Sequence, residues 1–121
     1  MVPVSRKDFP KDDDGEVLYR LASKGLDLNC KREIQFYCYA NGGSVAEKIA
    51  DDLTSYGYKS HVFVDEKDEG YTRVSVYSAI TMLPTYELIV LEQKRLNLIL
   101  RPYGTTCDGW MTESTPERSL E

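Results

Sequence analysis

The stretch "REIQFYCYANGGSVAEKIADDLTSYGYKSHVFVDEK", Arg32 to Lys67, decides the fold, because it reads as strand, helix, strand. Arg32 to Ala40 alternates in polarity and is rich in aromatics, which predicts a strand. Val45, Ala46, Ile49, Ala50 and Leu53 then recur at helical spacing. Ser44 and Glu47 predict a capping box at the start of this helix, and Gly57 predicts its stop. Lys59 to Lys67 alternates again. Outward from there, the polar run Asp65 to Gly70 turns the chain into "YTRVSVYSAI" (Tyr71 to Ile80), so these two strands form a hairpin. Pro84 suits the first turn of a helix running to about Leu100, with Ile89, Leu96, Ile99 and Leu100 on its buried face. "RPYG" ends that helix, and "TTCDGWMTE" (Thr105 to Glu113) is the expected fourth strand. The order βαββαβ is the split βαβ, or ferredoxin-like, α+β arrangement: one antiparallel sheet with two helices on one face. Upstream, "DDDGEVLYRLASKG" (Asp12 to Gly25) adds an N-terminal helix. Asp13 and Glu16 predict its capping box, Val17, Leu18, Leu21 and Ala22 its apolar face, and Gly25 its end.

The 121 residues suit one domain. The expected organisation is a mobile lead-in over 1–10, a single α+β domain over 11–113 and a polar tail over 114–121. With 41% hydrophobic and 29% charged residues, the composition is that of a soluble globular protein. No apolar run approaches the roughly 18 residues of a membrane span, and the N-terminus lacks the apolar core of a signal peptide. The expectation is a cytoplasmic protein that does not engage a membrane. Cys30, Cys38 and Cys107 are odd in number and form no CxxC pair, so they read as small buried hydrophobes rather than a disulfide or zinc framework.

Strand alternation sorts side chains between the two faces of the sheet. Ile34, Phe36, Cys38, Val62, Val64, Val74 and Val76 form the core set, leaving Gln35, Tyr37, Tyr39, His61, Phe63, Arg73, Ser75 and Tyr77 opposite. Large aromatics on an open face predict contact with another molecule. Cover by the N-terminal helix or a dimer mate, and simple cross-strand pairing, are the alternatives. If Cys107 and Met111 point inward, Asp108 and Trp110 fall on the open face beside the tyrosines, and Gly109 allows a bulge or a close approach on the core side; Trp110 is expected as a packing or contact anchor at the sheet edge, not a catalyst.

Catalytic chemistry finds no support. An EF-hand reading of the acidic run fails, because Gly15 at the sixth position puts Leu21 where the twelfth-position Glu should be. His61 is the only histidine, no Cys–His or GxSxG signature accompanies it, and no phosphate loop or dinucleotide fingerprint exists. The expectation is a protein with no catalytic residues, no metal and no cofactor. RNA binding through an RRM-like sheet shares the element order, but "EGYTRVSV" (Glu69 to Val76) has Glu69 for the basic first residue and Arg73 for a stacking aromatic. A net charge of −5 also opposes direct nucleic-acid binding, while suiting a partner with a basic surface.

Several short pieces together resemble the RraB family, regulators of ribonuclease E activity. They are "FPKDDDGEVLYRLASKGLDL" (Phe9 to Leu28), "REIQFYCYA", a helix ending "SYGY", "TMLPTYELIVLEQKRL" (Thr81 to Leu96) and "YGTTCDGW". The resemblance covers about residues 9–113 and is most specific at Asp12, Asp14 and Gly15, at "LPTY", and at Asp-Gly-Trp. It implies a ferredoxin-like protein without catalysis that binds and inhibits ribonuclease E, or a complex containing it, at a non-catalytic scaffold region that is basic in parts. The contact residues expected are Asp12, Asp13, Asp14, Tyr37, Tyr39, Phe63, Arg73, Tyr77, Asp108 and Trp110, with Asp65, Glu66, Asp68 and Glu69 as further acidic candidates. An interaction module for a different partner, or a homodimer through the open face, is the alternative; single-stranded RNA on that face is the third reading.

Overall fold

The computed structural model describes residues 5–66 and 72–112, with side chains except at 65, 66, 72 and 73. The elements run α1 (Asp13–Ser23), β1 (Arg32–Ala40), α2 (Gly43–Ser55), β2 (Lys59–Glu66), β3 (Thr72–Met82), α3 (Tyr86–Leu100) and β4 (Gly109–Met111), with 3₁₀ turns at Arg6–Asp8 and Arg101–Tyr103. The four strands form one sheet in the order β2-β3-β1-β4. All neighbours are antiparallel, so the fold is ferredoxin-like α+β.

One core lies between the sheet and the helices. Ile34, Phe36, Cys38, Val74 and Val76 point into it from the sheet, meeting Ala46, Ile49 and Leu53 of α2 and Ile89, Leu96 and Leu100 of α3. Leu18 and Leu21 of α1 join the same cluster. The N-terminal helix therefore packs in the helical layer, and the aromatic side of the sheet is left without cover from α1. Burying a side chain such as Leu18 contributes about 1.5–3 kcal/mol, which fixes α1 to the domain.

Five local expectations change. The N-cap of α1 is Asp12, one residue before the expected Asp13, and its carboxylate accepts the Gly15 N–H. Glu16 is turned away from the cap by Arg6 and Arg20, whose Nε–H groups each donate to it at 3.0 Å. Helix α2 starts at Gly43 after Gly42, with no side-chain cap, so Ser44 and Glu47 make no capping box. Pro84 precedes α3 instead of entering it, because Thr85 is the N-cap and accepts the Leu88 N–H. Val64 is 50% exposed, because β2 is an edge strand with a neighbour on one flank only. The expected fourth strand shrinks to three residues. Before it, the Cys107 N–H donates to the Asn97 side chain at 2.7 Å, holding the chain toward α3. After it, the Thr112 hydroxyl donates to the Glu33 carbonyl at 2.8 Å, so a side chain continues where the ladder stops.

The lead-in also has structure within the described residues. The Ser5 hydroxyl caps the turn Arg6–Asp8. Arg6 donates to the carbonyls of Phe9 at 3.1 Å and Pro10 at 2.9 Å, besides its bond to Glu16.

Candidate functional site

The start of α1 faces α3 and β4, and the residues meeting there come from the three most distinctive stretches of the sequence. The Tyr86 hydroxyl of "LPTY" donates to Asp12 at 2.6 Å. The indole N–H of Trp110 donates to Asp14 Oδ1 at 2.8 Å, and the Gln93 side chain donates to Asp14 Oδ2 at 3.0 Å. Gly15 sits so close to Pro10 that a Cβ would lie 2.0 Å from the Pro10 carbonyl oxygen, a contact only glycine permits. Asp12 titrates below the usual carboxylate range, because the Tyr86 hydroxyl and then the Gly15 N–H favour its charged form. These groups form a clasp between segments up to 96 residues apart.

The clasp reverses the expected position of Trp110. Residues directly opposite in an antiparallel pair share a face. Trp110 pairs with Phe36 and Gly109 with Tyr37. Trp110 is accordingly 8% exposed and belongs to the core, while Met111 is exposed. The close approach at Gly109 falls on the open face: a Cβ there would be 2.6 Å from the Tyr37 hydroxyl oxygen. Asp108 is exposed, and its N–H donates to the Tyr37 carbonyl at 2.8 Å.

On the other side of the sheet, the expected aromatics assemble. Tyr37 and Tyr77 are opposite each other in the β1–β3 register, as are His61 and Tyr77 across β2–β3. Tyr77 lies 5.8 Å from Tyr37, stacks on His61 at 5.4 Å with 7° between planes, and meets Phe63 edge-on at 6.4 Å. Tyr39 is edge-on to Tyr37 at 6.1 Å. Phe63 is 52% exposed and Tyr39 37%, so the array faces outward. Burial, and then the charge of Asp108, push the Tyr37 phenol up from its ordinary value.

Of the ten nominated contact residues, the structure gathers Tyr37, Tyr39, Phe63 and Tyr77 on one face, with Asp108 at its margin. It ties Asp12, Asp14 and Trp110 into the clasp, with Trp110 buried, Asp14 half-buried and Asp12 exposed but bonded. Asp13 is exposed on α1. The side chains of Arg73, Asp65 and Glu66, and all of Asp68 and Glu69, lie outside the described residues. Sequence reasoning did not single out Tyr58, which is buried with its hydroxyl on Glu92. Arg95 lies over the Tyr58 ring and donates to Glu92 at 3.1 Å, tying the end of α2 to α3. The signal for Tyr58 was its place just after Gly57, where a chain re-enters the sheet beneath a helix end.

The cysteines differ from one another. Cys38 is buried and Cys107 half-buried, and burial pushes their thiols up to about 12 and about 11. Such thiols are poor nucleophiles. Cys30, expected inside, is exposed and donates to Asp27 at 3.3 Å; the Asp27 hydrogen bond raises its thiol as well. Among the described residues, no group of three or more His, Cys, Asp or Glu could hold a metal ion, and no helix is long and apolar enough to cross a membrane.

One antiparallel sheet in split βαβ order, with helices on one face and an open aromatic face, defines a ferredoxin-like α+β domain. The model of the family RraB, Regulator of ribonuclease activity B, matches residues 11–112, and the chain belongs to that family. A comparison with the curated proteins finds no match.

Proposed function

We propose that this protein is a non-enzymatic regulator that binds ribonuclease E, or an RNA-degrading complex containing it, and restrains RNA processing. The observation that carries this reading is the family match across residues 11–112. The convergence of "DDDG", "LPTY" and "DGW" on one clasp supports it, since the stretches behind the resemblance serve a single packed arrangement. The open sheet face is the contact surface in this reading. Phe63 and Tyr39 are exposed there beside half-buried Tyr37 and Tyr77, while the carboxylates of Asp12 and Asp14 already accept hydrogen bonds from within the chain, so the face has more to offer a partner than the acidic helix start. A net charge of −5 favours encounter with a basic scaffold segment.

The test is capture of purified ribonuclease E by the intact chain, together with an RNA-cleavage assay. Binding, and slower cleavage as the protein is added, are expected. Phe63→Ser combined with Tyr77→Ser is expected to abolish capture, whereas Asp13→Asn leaves it in place. Absence of capture by the intact chain overturns the function; capture that survives the double substitution overturns the surface.

A further inference from the structure

The open face has features that specify the chemistry of what docks there. Its rings are set before a partner arrives. Tyr77 is held between Tyr37 and His61, and the hydroxyl end of Tyr37 rests over Gly109 where no side chain fits. A platform already in place loses little freedom on binding. The charges around it are uneven. Glu33 and Lys59 offset each other at 3.8 Å. Asp108 is exposed, and its carboxylate has no hydrogen bond or ion pair among the described residues. Its backbone N–H bonds the Tyr37 carbonyl, and its charge is felt by the Tyr37 phenol, which it pushes up after burial.

Fixed aromatic planes with a spare carboxylate at their edge suit one common group above others. A guanidinium is flat, stacks on a tyrosine face and presents a fork of N–H donors to a carboxylate. An ammonium can meet the carboxylate, but it has no plane to stack. A nucleobase can stack, but its phosphate meets an acidic protein. We propose that the face formed by Tyr37, His61, Phe63 and Tyr77, with Asp108 at its margin, binds an arginine-bearing segment of a protein partner and selects guanidinium over mere positive charge. This rests on the reading of the open face as the docking surface, and it adds what that surface recognises.

The experiment titrates three probes into the full chain: a peptide alternating glycine with arginine, its lysine counterpart of equal length and charge, and a single-stranded oligouridine. Affinity is read by calorimetry and location by NMR shifts of the Tyr37 and Tyr77 rings. The arginine peptide is expected to bind at least about ten-fold tighter than the lysine peptide and to shift both rings. The oligouridine is expected not to bind. Tyr77→Leu should abolish the arginine preference. Asp108→Asn, an exposed change that spares the fold, should weaken the arginine peptide several-fold. Equal affinity for the two peptides, no binding of the arginine peptide, ring shifts caused by the RNA, or indifference to Asp108→Asn each overturns the proposal. No ribonuclease takes part in this titration. A failed capture with a clear arginine preference therefore refutes the partner named above, whereas capture without that preference refutes the chemistry proposed here.

Discussion

The clasp at the start of α1 and the aromatic face of the sheet both contain residues that the sequence nominates for binding, yet they are built in opposite ways. In the clasp, Asp12, Asp14, Tyr86, Gln93 and Trp110 bond one another. On the open face the rings meet one another by edges and planes; Phe63 and Tyr39 stay exposed, and Tyr37 and Tyr77 are half-buried. The difference teaches how to read an unusual residue: acidic groups and a lone tryptophan next to glycines can be internal fittings, while plain alternation along a strand can leave a row of aromatics facing outward.

The comparison breaks most decisively at Trp110. Trp110→Ala should cost about 3–5 kcal/mol in urea unfolding, from a core cavity and the loss of Asp14's donor. A stability change within a few tenths of a kcal/mol would place Trp110 among the contact residues after all. Gly15→Ala comes next, at roughly 1–3 kcal/mol, because the added methyl must displace the Pro10 carbonyl. An unaltered denaturation midpoint would show that the clasp is loose there.

The acid side sharpens the contrast further. Asp12 has a folded value below its unfolded one, so its contribution to stability is fully present above the ordinary carboxylate range. That contribution is lost as the pH falls through the folded value. Unfolding of the native chain and Asp12→Asn should therefore differ at pH 6, with the gap closing as the pH falls below the ordinary carboxylate range. A gap that is independent of pH would mean that the Tyr86 bond does not depend on the charge. The smallest stability effect belongs to the open face. Tyr77→Ser should cost roughly 0.2–1 kcal/mol, the scale of a cross-strand pair, while removing partner capture. A loss several times larger would mark Tyr77 as structural.

Much of this was legible in the chain. The alternation of Ile34, Phe36 and Cys38 against Gln35, Tyr37 and Tyr39 set both faces of β1, because nine consecutive residues vote for one register. β4 has three residues, and the chain before it, from Thr105 to Asp108, is irregular. Parity counted from Cys107 therefore put Trp110 on the wrong face. No local pattern could correct this, since the deciding fact is the pairing of Trp110 with Phe36. The roles of Asp12 and Asp14 were hidden for a related reason. A helix start rich in carboxylates looks the same whether water or a distant tyrosine and indole donate hydrogen bonds to it. A close approach at Gly109 was expected, but on the core side, whereas it is to Tyr37 on the open face; the approach of Gly15 to Pro10 had no signal in the local pattern.

The burial of Trp110 has a practical consequence. It is the only tryptophan in the chain, and it lies on the helix side of the sheet, away from the open aromatic face. The tyrosines of that face lie on the other side. Indole emission should therefore report whether the clasp is closed and stay nearly silent when a ligand docks on the sheet. Tyrosine signals should do the reverse. The molecule carries separate optical reporters for its fold and for events on the open face, so a substitution that unfolds the domain can be told apart from one that changes only that surface.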